Sequence, residues 1–120
     1  MEDVQRITEG ERFYLDLERV DLYGWERDKS AWLVRNLREK IRAGEKLASV
    51  PVALFSYGFQ LVPYGVDDYG FIEGGHHRAV AHYQEGRPLR CRLVNNQGPV
   101  AGKLHIKDIR LTNWLDEIFK

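Results

Sequence analysis

Residues 71–86 read FIEGGHHRAVAHYQEG, and no other stretch restricts the chain as much. Phe71 to Glu73 reads as a short strand that runs into Gly74 and Gly75. A helical pattern begins near His76 and ends at Gly86. A glycine pair at such a junction lets the backbone turn sharply and lets a ligand approach it closely. The first N–H groups of a helix have no internal partner and lie at the positive end of its dipole. A phosphate group satisfies both needs. His76 and His77 add donors at the same turn, and the Arg78 fork suits phosphate oxygens in a way that lysine does not. The junction is therefore built like an anion site, although it lacks the G-x-x-x-x-G-K-[ST] spacing of a Walker loop. A plainer reading stays open beside this one. The glycines then make only a tight turn, His77 is a half-buried histidine above Val80, Ala81 and Gln84, and Arg78 lies on the surface.

Metal chemistry is poorly served by these residues. His76 and His77 are adjacent, so on a helix they point about 100° apart and do not converge on one ion. His82 and His105 carry no ligand spacing, which argues against zinc. No metal ligand is assigned. Mg2+ held between bound phosphates and a carboxylate fits better. Glu73, Asp67 or Asp68 would supply that carboxylate, and each also reads as an ordinary turn residue.

The rest of the chain supports one domain. It has 120 residues, 43% hydrophobic and 30% charged, which is ordinary globular composition and enough to bury a core. Residues 1–12 read as a flexible N-terminal segment and 13–120 as the domain. Lys plus Arg and Asp plus Glu both number 18, so no overall field draws the chain to nucleic acid or membrane. The lone cysteine, Cys91, excludes an internal disulfide and a cysteine zinc site. No apolar run reaches membrane-spanning length and no signal-peptide core is visible, which suggests a cytoplasmic protein.

Phe13, Leu15 and Leu17 alternate as in a strand, and YGWERDKS reads as a loop turning at Gly24. AWLVRNLREKIRAG reads as a helix that starts at Asp28 or Ser30 and ends at Gly44. VPVALFSYG and FQLVPYGV read as a strand pair divided near Gly58, with Pro51 and Pro63 at edges or strand starts. DDYGFIE suggests a turn and a short strand. RPLRCRLV predicts a strand with Leu89, Cys91 and Leu93 on one face and Arg90 and Arg92 on the other. NNQGPVAG reads as a loop, KLHIKDIRL as a final strand or strand pair, and TNWLDEIF as a short helix capped at Thr112 or Asn113. The order β-α-β-β-β-α-β-β-α predicts an α+β domain, a mixed sheet with flanking helices.

YGFIEGGHHRAVAHYQEGRPLRCRLV resembles the signature segment of the ParB/sulfiredoxin superfamily. There a strand leads to a glycine, a polar pair and an arginine, then to a helix ended by glycine and a further strand. LERVDL resembles the family's first strand, and NLREKIRAGEKLASVPVALF resembles the helix, glycine and strand before the motif. The likeness covers roughly residues 13–94. It implies that Gly74, Gly75, His76, His77 and Arg78 hold the phosphates of ATP, ADP or CTP, with Mg2+ as a possible companion. It also implies a possible phosphoryl-transfer or NTP-hydrolysing activity, in which His77 and Arg78 neutralise charge and Glu26 or Glu73 serves as the base. The sulfiredoxin catalytic cysteine is replaced here by His76, which argues against sulfinic-acid reduction. In the serine kinases of the superfamily an acidic residue directly precedes the glycine of G-H-H-R. Here Gly74 stands in that place and Glu73 one position earlier.

Two other classes stay open. A DNA-binding or nuclease domain would use Arg87, Arg90 and Arg92, with Lys103, Lys107 and Arg110 on an adjoining strand and Tyr23, Trp25, Tyr57 and Tyr64 as stacking platforms. A non-catalytic interaction domain would present Trp25 or Trp114 to a partner.

Overall fold

The computed structural model describes residues 10–62, 75–94 and 102–119. Three strands, β1 (Arg12–Leu15), β2 (Leu22–Gly24) and β3 (Asp28–Ser30), precede helix α1 (Ala31–Arg42). A hairpin follows, β4 (Val50–Phe55) and β5 (Gly58–Leu61). Helix α2 (His76–Glu85) leads into β6 (Leu89–Leu93). The end of the chain holds β7 (Leu104–His105), a 3-10 turn (Ile106–Asp108), β8 (Arg110–Thr112) and helix α3 (Asp116–Phe119). Six strands form a mixed sheet in the order β1-β6-β4-β5-β2-β7, and β3 pairs with β8 in a separate parallel ribbon. The α+β prediction is met at this level.

The core follows from strand alternation. On β6, Leu89 and Cys91 are buried, whereas Arg90 keeps partial contact with solvent. Phe13 and Leu15 lie opposite Cys91 and Leu89 in register. On the hairpin, Val52 faces Leu61 and Leu54 faces Phe59. Leu15, Val50, Val52, Phe59 and Leu61 belong to one buried cluster, which Val34 and Ile41 of α1 and Ala79, Val80 and Ala81 of α2 complete. Burial of this kind is worth about 25 cal/mol per Å² of apolar surface. Cys91 is fully buried, and its thiol pKa is pushed up by that burial. It is a small core residue.

Several local expectations need correction. The alternation of Phe13, Leu15 and Leu17 does not continue as one strand. The Asp16 carbonyl accepts the N–H groups of Arg19 and Val20, and Asp16 Oδ1 accepts that of Glu18. This aspartate-centred turn breaks the ladder, yet Leu17 still packs inward. Gly24 is not a turn but the last residue of β2. Pro51 sits second in β4, at the strand start that the sequence allowed, although β4 itself lies inside the sheet between β6 and β5 and not at an edge. The two strands of KLHIKDIRL do not pair with each other, because the 3-10 turn sends β7 to β2 and β8 to β3. The strand expected over residues 71–73 and the loop over 95–101 lie outside the described residues, as does Pro63.

Two contacts tie the helices to the rest. Ser30 caps α1, its Oγ accepting the Leu33 N–H at 3.1 Å and donating to Asp116 Oδ1 at 2.7 Å. The same carboxylate oxygen accepts the Trp32 N–H, so α3 is pinned to the start of α1. At the far end, Arg38 and Arg42 both bond the Glu85 carboxylate of α2. Those bonds, Arg42 first, hold the Glu85 pKa down at about 2. Replacing Ser30 with alanine removes the cap and leaves the buried Asp116 short of a donor. The expected loss is about 2 kcal/mol, read as a lower urea midpoint with an unchanged slope.

Candidate functional site

The N-terminus of α2 is opened by Gly75 with φ +75°. L side chains adopt this conformation only with strain, and a Cβ there would overlap Val50. Glycine is therefore required twice over, by dihedral and by space. It brings no side chain to cap the helix, and the first turn contains no acidic residue. Of the junction foreseen from the sequence, Gly75 and the helix start at His76 are seen, whereas Phe71 to Gly74 lie outside the described residues.

His76 turns inward. It is 2% exposed, and its Nε2 accepts the Trp25 N–H at 3.1 Å and the Glu26 N–H at 3.4 Å. The ring packs edge-on against Trp25 with centroids 4.2 Å apart. It also fills the space beside Gly24, where a Cβ would stand 2.5 Å from Nε2. The glycine of β2 thus serves ring packing. A backbone N–H only donates, so Nε2 is unprotonated and the neutral ring carries its hydrogen on Nδ1. That atom lies 3.0 Å from Glu26 Oε1, close but not aligned as a hydrogen bond.

His77 is half-buried. Its Nε2 accepts the Ser30 N–H at 3.1 Å, and its ring meets Phe119 of α3 edge-on. By the same reasoning its Nδ1 is a donor. Burial lowers the pKa of both histidines from 6.5 to about 4, opposed by the Glu26 charge and reinforced by Lys29. Both rings are neutral at physiological pH.

Lys29, on β3, is the site residue that sequence reasoning missed. It is 7% exposed, and its Nζ lies 2.8 Å from Glu26 Oε2. Partial burial raises the Glu26 pKa, but the Lys29 hydrogen bond and the neighbouring charges outweigh it, so the carboxyl lies below its ordinary value. In the sequence Lys29 is one charge in the polar run ERDKS, and nothing there signals that it is buried.

The other predicted residues sort clearly. Glu26 joins His76, His77 and Lys29 in one cluster. Arg78 is buried rather than on the surface, and its Nη1 donates to the carbonyls of Ala48 and Ser49 at 2.8 and 3.3 Å. At least one arm of its fork therefore fastens α2 to the segment before β4. The basic residues proposed for nucleic acid do not adjoin. β6 carries Arg90 and Arg92, and β4, β5 and β2 separate it from β7. Lys103 instead covers the Tyr57 ring at 4.0 Å, and Arg110 bonds Asp28. Trp114 is 65% exposed, whereas Trp25 packs against His76. Among the described residues no three His, Cys, Asp or Glu side chains group to hold a metal ion, and no helix is long and apolar enough to cross a membrane. No family model matches the chain, and neither a curated protein nor a solved structure matches it.

Two outcomes test this geometry. Histidines held neutral in the fold stabilise it fully above the unfolded value near 6.5. That stability is lost as pH falls from about 6.5 to about 4, because only the unfolded chain takes up the protons. Urea titrations across this window will show the loss, on the order of a few kcal/mol, and a smaller loss in His76→Gln. Gly75→Ala will lower stability by about 2 kcal/mol or more at every pH in the window, read from the same titrations.

Proposed function

We propose that this chain is a ParB/sulfiredoxin-like domain that binds a nucleotide, or another phosphate-bearing ligand, at the N-terminus of α2. The observation that carries the reading is the buried Lys29 ammonium beside a glycine-opened helix N-terminus whose first turn contains no acidic residue. A lysine is rarely buried without a structural or chemical role. Here its charge reaches both His76 and His77. Helix amides, Lys29 and the Nδ1–H of His77 together form a donor set suited to phosphate oxygens.

The residues divide the work by their protonation. His76 is a positioning residue, because its Nε2 is taken by two amides of the β2–β3 connection and its Nδ1 faces Glu26 from the buried side of the site. His77 donates. Its only lone-pair nitrogen is taken by Ser30, so it stabilises charge and does not accept a proton. Glu26 is ionised and 44% exposed at its side chain, which makes it the carboxylate able to receive a proton from an attacking water or hydroxyl. Arriving phosphate competes with Glu26 for Lys29, and this competition frees the carboxylate for that role. Mg2+ would supply further charge neutralisation through the phosphates, and among the described residues Glu26 would be the carboxylate able to help hold it. Any turnover is phosphoryl transfer or NTP hydrolysis, in which positioning and charge neutralisation provide most of the acceleration.

Equilibrium dialysis against ATP, ADP and CTP, with and without Mg2+, tests the reading. Wild type should bind at least one of them, and Lys29→Gln should weaken binding about tenfold or more, consistent with loss of one charge-assisted contact. Glu26→Gln should retain binding and lose any turnover. Absence of binding by wild type, or undiminished binding by a folded Lys29→Gln, defeats the proposal.

A further inference from the structure

A cavity of about 320 Å³ lies at the opposite end of α2. It opens where α1 ends at Gly44, where the chain leaves α2 through Arg87 and Pro88, and beside Tyr14 of the edge strand β1. Its volume falls within the range of small-molecule sites. Lys46, Arg87 and Arg90 line it against a single carboxylate, Glu45. Ile41, Leu47 and Pro88 contribute apolar wall, and the Tyr14 ring is 61% exposed beside them. Among the described residues neither Lys46 nor Arg87 takes part in an ion pair. The C-terminal ends of α1 and α2 favour cations nearby, and the basic side chains must outweigh the same partial negative charge to hold an anion.

We propose that this cavity is a second binding site, and that it takes a small monoanion with an apolar body, of the aromatic carboxylate class. The carboxylate pairs with the guanidinium of Arg87 in the forked geometry that arginine provides. The ring lies along Tyr14, Leu47 and Pro88, where removal from water supplies the remaining affinity. The buried His82 marks the cavity's inner wall. Its Nδ1 donates to the Arg78 carbonyl at 2.9 Å, so its ring is fixed and its resonances report occupancy.

Benzoate is the probe, with benzyl alcohol as its uncharged counterpart and inorganic phosphate as an anion without the apolar body. In a titration followed by amide and imidazole NMR shifts, benzoate should give saturable changes at Lys46, Leu47, His82 and Arg87. The alcohol and phosphate should each bind at least about tenfold more weakly. The exposed double change Lys46→Gln, Arg87→Gln should keep the dispersed spectrum of the fold and weaken benzoate about tenfold or more. The inference is overturned by the absence of saturable shifts at millimolar benzoate, by equal binding of the alcohol, by shifts confined to Gly75–His77, or by undiminished binding in the folded double variant. Because the two sites are read at opposite ends of α2, failure here is distinct from failure of nucleotide binding.

Discussion

A neutral imidazole holds the site together. His76 sits in the space that Gly24 leaves open and accepts backbone hydrogens from Trp25 and Glu26. It thereby joins the first turn of α2 to the connection that carries Glu26 and leads into Lys29 on β3. A charged ring could not do this, since a protonated Nε2 has no lone pair for those amides. Desolvation keeps the ring uncharged, and the fold in turn keeps it dry. His77 repeats the device on the Ser30 amide, so two consecutive histidines face different partners, as side chains about 100° apart on a helix must.

The cluster's charges are arranged around those two uncharged rings. Lys29 and Glu26 neutralise one another in a partly desolvated setting, where an unpaired lysine would be costly. The pair differs in exposure, with the ammonium buried and the carboxylate partly in water. An anion that displaced the carboxylate would meet a cation whose present partner can return to solvent. Such exchange is less costly than creating a charge-free pocket and filling it, because the lysine is never left without a counterion.

Much of this was legible in the residues. The alternation of Leu89, Cys91 and Leu93, the hairpin around Gly58, the Ser30 cap and the glycine stops at 44 and 86 each carry a local signal, and local signals survive into the fold. What failed depended on distant partners. The break after Leu15 comes from Asp16 recruiting nearby amides, which competes with strand pairing at similar energy. The separation of β7 from β8, and of both from β6, is set by sheet order, which no short pattern encodes. Arg78 appeared as a phosphate fork because its neighbours suggested one, while the carbonyls of Ala48 and Ser49 lie about thirty residues away in sequence. Lys29 was invisible for the opposite reason, since burial of a lone lysine in a polar run is decided wholly by what folds over it.

The bond between Ser30 and Asp116 spans 86 positions. During synthesis on the ribosome, β3 and the first turn of α1 emerge long before their partner does. Until residue 116 leaves the exit tunnel, the segment bearing Lys29 lacks both the parallel β8 strand and the carboxylate that fixes its helix. Closing so distant a contact is entropically slow. The corner bearing Glu26, Lys29 and Ser30 is thus among the last parts of the molecule to become rigid, later than the β4–β5 hairpin, whose two strands are neighbours in sequence.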